Sequence, residues 1–151
     1  SQGARSLNSQ WKNIVESNPE KFKNLRILHQ TGTKDEEEMR AFYGRLGLSS
    51  EVFAFSNEMP RYYREADLII CRSGAMTVFE VIAMERPAIF VPFPAATHDH
   101  QYWNAISVQK PEWVLRESQL IPQAFLALSS AQNPSFPRPA TAKSLVEALD
   151  F

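Results

Sequence analysis

The stretch Asp67–Phe93, reading DLIICRSGAMTVFEVIAMERPAIFVPF, limits the possible folds of this chain more than any other. It has the pattern strand, glycine turn, helix, strand. The apolar run Leu68–Cys71 is short and ends at Ser73-Gly74, which suits a strand buried on both faces. The turn passes directly into a helix, and the first N–H groups of any helix lack an intrahelical acceptor. Within that helix Val78, Phe79, Val81 and Ile82 are expected to form the buried stripes. Thr77 and Glu80, three residues apart, then share one face near the start. An open helix start is an anion site. Phosphate at the Gly74 turn, with a hydroxyl-bearing sugar against Glu80, therefore fits a nucleotide. Strand–turn–helix units recur throughout doubly wound parallel sheets, so the pattern by itself also admits a merely solvated Glu80.

Two further segments point to the same edge. The strand Ala88–Val91 ends in Pro92-Phe93-Pro94 and is followed, after a loop of small residues, by HDHQYWNA at residues 98–105. Ligands of open α/β sheets lie beyond the carboxyl ends of the strands. Two histidines, Asp99, Gln101 and Asn104 crowd this loop-to-helix junction beside two aromatics, and Gln101 can both donate and accept, as a hydroxyl-rich ring requires. SQGARSLN at the amino terminus has the form of another glycine turn entering a helix, with Ser1 or Gln2 as its cap. Three turns on one edge make a cleft.

The remaining segments alternate regularly. Helices are expected over 4–17, ending before Asn18-Pro19, over 35–46, 59–65 and 101–108; strands are expected over 25–29, 51–55 and, last, at Trp113-Val114-Leu115. The expected class is α/β, a Rossmann-like parallel sheet with helices on both faces. The acids Asp35-Glu36-Glu37-Glu38 complement the dipole of a first helical turn and need no metal. After Ser129 the run AQNPSFPRPA reads as an extended linker leading to a terminal helix over about 140–149. The division expected is a domain over 1–129 followed by a linker and helix over 130–151.

Composition removes several function classes. A chain of 151 residues suits one domain with one substantial core. A formal charge of −1, a pI near 6.3 and no basic patch argue against nucleic acid. No apolar run approaches the roughly 20 residues a bilayer span needs, and no signal-peptide pattern opens the chain. The single cysteine, Cys71, excludes an internal disulfide and accords with a cytoplasmic protein. At the end of an apolar strand, with no base near it in sequence, it reads as a packing residue rather than a nucleophile. His98 and His100 lie two apart, as ligands of one ion can, but His29 is distant in sequence and no Asp-x-Asp signature occurs. Neither a metal nor a cofactor is expected.

In this order SQGAR (1–5), CRSGAMTVFE (71–80), VPFP (91–94) and DHQYWNA (99–105) resemble the carboxy-terminal half of the MurG family of bacterial glycosyltransferases, family 28, of the GT-B type. The likeness runs from residue 1 to about residue 116. It implies the lobe that binds UDP-N-acetylglucosamine (UDP-GlcNAc) in an inverting enzyme that transfers GlcNAc to lipid I, forming lipid II for peptidoglycan. On the resemblance, Ser1 faces the diphosphate. Gly74, Ala75, Met76 and Thr77 bring backbone N–H groups and one hydroxyl to the phosphates and sugar, and Glu80 takes both ribose hydroxyls. Gln101, with His100, reaches the hydroxyls of GlcNAc, and the segment Phe55–Met59, with Ser56 and Met59 in it, holds the uracil edge through its backbone. Many members carry a larger apolar residue where Ser56 stands, and others have glutamine at His100.

No catalytic residue is assigned to this half, because the family's general base belongs to the other lobe. Helix-terminus amides would stabilise the leaving UDP in place of a metal. The chain lacks an initiator methionine and begins within a phosphate turn, so an upstream strand and an acceptor lobe are expected to be missing and the chain alone to be inactive. Lipid I and the membrane would be contacted through that lobe, at the cytoplasmic face of the bacterial inner membrane. The alternatives are the donor-binding subunit of another family 28 transferase and a non-catalytic nucleotide-sugar-binding protein; SQGAR and QYWNA disfavour the former.

Overall fold

The computed structural model describes residues 2–109, 113–124 and 144–148. In chain order its elements are α1 (Gln2–Ser17), β1 (Arg26–Gln30), α2 (Glu36–Arg45), β2 (Ser49–Phe53), α3 (Met59–Glu65), β3 (Leu68–Cys71), α4 (Ala75–Ala83), β4 (Ala88–Phe90), α5 (His100–Ile106) and β5 (Ser144–Ala148). The five described strands form one sheet in the order β2-β1-β5-β3-β4, and every neighbouring pair is parallel. The expected α/β class and parallel sheet are what the chain adopts.

Two apolar layers follow from the strand period of two. Ile27, Leu68, Ile70, Ile89 and Val91 face one layer, where Leu7, Trp11, Ile14 and Val15 of α1 meet Met39, Phe42 and Tyr43 of α2. Leu28, Ile69, Cys71, Ala88 and Phe90, one residue out of phase, face the other, with Tyr62 and Tyr63 of α3, Val78 and Val81 of α4 and Ala105 of α5. Helices therefore cover both faces. The four buried apolar residues named on α1 recur at helical spacing, and the chain leaves α1 before Pro19. Acids open α2 and Arg45 closes it, matching its dipole. Gly47, at φ +67°, then turns the chain so that Leu48 N–H bonds Tyr43 O at 3.0 Å. No helix among the described residues is long and apolar enough to cross a membrane.

Three expectations are corrected. Ser144–Ala148 is a central strand, not part of a terminal helix: it pairs with β1 on one side and β3 on the other. Alanine, leucine and glutamate favour helix only weakly, and two parallel ladders override that preference. The proline-rich run after Ser129 lies outside the described residues. On α4, Val78 and Val81 are buried, but Phe79 is 74% and Ile82 44% exposed. A nine-residue helix on one sheet face can bury only one stripe, and these two lie on the far side of it. Trp113-Val114-Leu115 reduces to one parallel bridge, Phe90 to Val114, with Leu115 N–H on Phe90 O at 2.9 Å.

Candidate functional site

Because the strands run parallel, the segments after β2, β3 and β4 leave the sheet at one edge, where the sequence places its motifs. Gly74 caps α4 in an extended conformation, and the first helical bond is Val78 N–H to Gly74 O at 3.0 Å. The N–H groups of Ala75, Met76 and Thr77 therefore have no intrahelical acceptor. Ala75 and Met76 are exposed and Thr77 is buried. Glu80, one turn on and half-buried, pairs with none of the described residues. A fixed set of donors and an uncommitted carboxylate thus stand on one helix.

Gln101 has a second occupation that sequence reasoning missed. Its Oε1 accepts Ser73 N–H at 3.3 Å and Phe93 N–H at 3.0 Å, while Ser73 Oγ donates to its backbone oxygen at 2.8 Å. Both partners of the side chain are backbone donors, so the oxygen must face them and the amide nitrogen is what Gln101 has left to offer. Asn104 Nδ2 completes the tie to Ser73 O at 3.2 Å. The turns after β3 and β4 are stitched together in this way. No sequence signal distinguishes a glutamine that braces two turns from one that meets a ligand.

The loop before α5 is strained. His98 and Asp99 both have left-handed backbones, φ 52° and 56°, a conformation that costs non-glycine residues of order 1–3 kcal/mol each. Arg116 holds the corner, donating to both Asp99 oxygens at 2.7 and 3.2 Å while its guanidinium lies 4.2 Å from the centre of the Tyr102 ring. That hydrogen bond, with the Arg116 charge behind it, keeps the Asp99 carboxyl below the usual carboxylate range. His100 Nδ1 lies 2.8 Å from Thr97 O; a carbonyl only accepts, so Nδ1 carries the proton and Nε2 points elsewhere. Asp99 is thus engaged by Arg116, and His100, weighed with His98 as a metal ligand, by Thr97.

At the other end of the edge, Ser56 N–H donates to Gln30 Oε1 at 3.2 Å and Ser56 Oγ accepts Glu58 N–H at 2.9 Å. A base bound by the Ser56 N–H requires Gln30 to yield or share it. Phe55 is 65% exposed and Met59 half-buried beside this turn. Ser1 lies outside the described residues. A concavity of about 590 Å³ bounded by Arg86, Pro87 and Ala88 opens where β4 begins, the opposite edge of the sheet, and does not belong to this site.

Parallel strands, helices on both faces and a ligand edge at the strand carboxyl ends define a Rossmann-like nucleotide-type lobe. The chain belongs to the family described as the glycosyltransferase family 28 C-terminal domain, whose model matches residues 1–144. A curated relative from Sulfurovum sp. (strain NBC37-1), named UDP-N-acetylglucosamine--N-acetylmuramyl-(pentapeptide) pyrophosphoryl-undecaprenol N-acetylglucosamine transferase, is 40% identical over 131 residues, 85% of this chain and 38% of that protein. A relative of the same name from Solibacter usitatus is 37% identical over 148 residues, 94% of this chain and 40% of its own length. The crystal structure of Acinetobacter baumannii MurG matches with a TM-score of 0.69 at 31% identity, over 93% of this chain and 43% of that one. The chain spans about two-fifths of the length of these relatives.

Proposed function

We propose that this chain is the UDP-GlcNAc-binding half of an inverting N-acetylglucosaminyltransferase that passes GlcNAc to lipid I and so forms lipid II for peptidoglycan. One observation carries the reading: three N–H groups without intrahelical acceptors follow Gly74, and Glu80 stands one turn on without a partner among the described residues. Diphosphate oxygens accept from the former and ribose hydroxyls donate to the latter. The names of the Sulfurovum and Solibacter relatives support the sugar, the nucleotide and the lipid-linked acceptor.

In this reading Ala75, Met76 and Thr77 hold the diphosphate and gather the charge that develops on UDP as the glycosidic bond breaks. Ser1, which precedes α1 and lies outside the described residues, is assigned to the same diphosphate. The Ser56–Met59 backbone takes the uracil edge, and Gln101 Nε2 with His100 Nε2 meets sugar hydroxyls. Fixing the donor in this way supplies orientation, and the base that deprotonates the acceptor hydroxyl belongs to the other lobe. That lobe also provides the contact with lipid I and with the cytoplasmic face of the membrane.

Calorimetric titration of the 151-residue chain with UDP and UDP-GlcNAc tests the proposal. Both should bind, and lipid I should receive no GlcNAc. A folded sample that gives no heat with millimolar UDP, or one that turns over alone, overturns it.

A further inference from the structure

Arg72 has no part in the roles above, yet it joins α1, the segment after β4 and Glu117 directly behind the cap of α4. Its side chain is 2% exposed. Nη2 donates to Ser6 Oγ in α1 at 3.0 Å and to Glu117 Oε2 at 2.8 Å. Nη1 lies 3.3 Å from both the Val91 and the Pro92 carbonyl oxygens, and the guanidinium carbon is 5.4 Å from the centre of the Phe93 ring. Ser73 and Gly74, the cap of α4, follow it directly in the chain. A buried charge is unfavourable unless it is paired and hydrogen-bonded, and apolar packing could join the same elements without one. What apolar packing cannot supply is a rigid planar fork that sets the separation of its acceptors.

We propose that Arg72 is a positioning residue for the donor's diphosphate, fixing the start of α1 against the start of α4, with Glu117 holding its fork in place. The inference rests on the donor-binding reading. A diphosphate that spans two helix starts is bound only if their spacing is held, and Ser6 and the Gly74 cap are the points through which Arg72 holds it. The uracil segment follows β2, on the far side of β1 and β5, and none of Arg72's contacts named above reaches it. The consequence is a split between the nucleoside and the phosphate parts of the ligand.

The test uses the 151-residue chain, with UDP and uridine affinities measured by NMR shift titration. Arg72→Lys, which keeps the charge and loses the fork, should weaken UDP at least tenfold and uridine less than twofold. Ser6→Ala, which deletes the α1 arm, should weaken UDP about threefold with uridine unchanged. It keeps the test open should the lysine variant not fold. Glu117→Ala should weaken UDP about fivefold and Glu117→Gln, which retains the accepting oxygen, should restore it. Wild-type UDP affinity in folded Arg72→Lys and Ser6→Ala, or equal losses of UDP and uridine, overturns the inference. Wild type that binds neither ligand overturns the donor reading instead.

Discussion

The two ends of the binding edge are held in opposite ways. Behind β1 and β2 lies a chain of hydrogen bonds between uncharged side chains that ends on the Asp35 carboxylate. Trp11 Nε1–H donates to Tyr43 Oη at 2.8 Å, and because His29 Nε2–H is committed to Asn8, the Tyr43 hydroxyl donates to His29 Nδ1 at 2.7 Å. His29 Nε2 then carries its proton to Asn8 Oδ1 at 2.9 Å, and Asn8 Nδ2 donates to Thr31 O at 3.0 Å and Asp35 Oδ2 at 2.8 Å. Behind β3 and β4 the corresponding place holds the Arg72–Glu117 ion pair and the Gln101 brace. The neutral end spends its donors and acceptors on itself. The charged end leaves three helix N–H groups without intrahelical acceptors, and the Glu80 carboxylate and the Gln101 amide nitrogen uncommitted among the described residues, so substitutions there should cost binding, and substitutions at the neutral end should cost stability.

The largest effect should come from breaking the neutral end. Tyr43→Phe takes away both the acceptor of Trp11 N–H and the donor to His29 Nδ1, at residues that are fully buried. Each buried group left short of its partner costs about 1–3 kcal/mol, so a loss of about 2–4 kcal/mol in urea unfolding is expected, with UDP affinity in the folded protein unchanged. A Tyr43→Phe protein as stable as wild type would dissolve the contrast.

Next in size is Glu80→Ala. Two charge-assisted hydrogen bonds to ribose predict a loss of about 1.5–3 kcal/mol in UDP binding, with the urea midpoint unmoved because the Glu80 carboxylate bonds none of the described residues. A nucleotide lacking the ribose hydroxyls should bind wild type and variant alike. A fall in the midpoint with unchanged UDP affinity would make Glu80 structural.

Gln101 sharpens the comparison further, since it both braces and presents. Gln101→Glu keeps an oxygen for Ser73 and Phe93 N–H but loses the amide donor, so UDP-GlcNAc should weaken by about 1 kcal/mol and UDP should not. Gln101→Ala removes the brace as well and should weaken both. Equal behaviour of the two variants in calorimetry would show that the brace has no bearing on the nucleotide.

The sequence assigns Gln101 to the sugar alone and misses its brace, and the reason is general to what could be read from it. Strand and helix positions were legible because apolar periodicity is local: β3 and α3 keep their expected bounds, and most other elements shift by one or two residues. The glycine-capped start of α4 and its lone carboxylate were legible for the same reason. Partners distant in the chain were not. Arg72 meets Ser6 and Glu117, 66 and 45 residues away, and Gln101 meets Ser73, 28 residues away. β5 was misread as helix because its strand state comes wholly from its two neighbours. Phe79 and Ile82 were misassigned because hydrophobicity alone does not say which side of a short helix meets the sheet.

The smallest effect concerns an ion-pair cluster at the solvent margin of the neutral end, and it asks whether charge at that end matters at all. Glu51 accepts the Tyr62 hydroxyl at 2.7 Å and Arg26 Nη2 at 2.9 Å, and these bonds, the tyrosine's first, hold its carboxyl below the usual glutamate range. A lowered folded pKa means that the stabilisation is present above the unfolded glutamate range and is lost as pH falls through the folded value. Both charged side chains are more than one-third exposed, at 46% and 41%, so solvent screens the pair and its contribution is small. Tyr62→Phe should therefore lower the urea midpoint slightly at pH 7, and the difference should shrink as the pH is taken below the glutamate range, with the Glu51 carboxyl titrating closer to its ordinary value by NMR. UDP affinity should not change. A midpoint difference that persists undiminished at pH 3 would assign the loss to packing of Tyr62 on Phe53, whose rings stack at 4.7 Å, and would leave the neutral end with no electrostatic contribution to its stability.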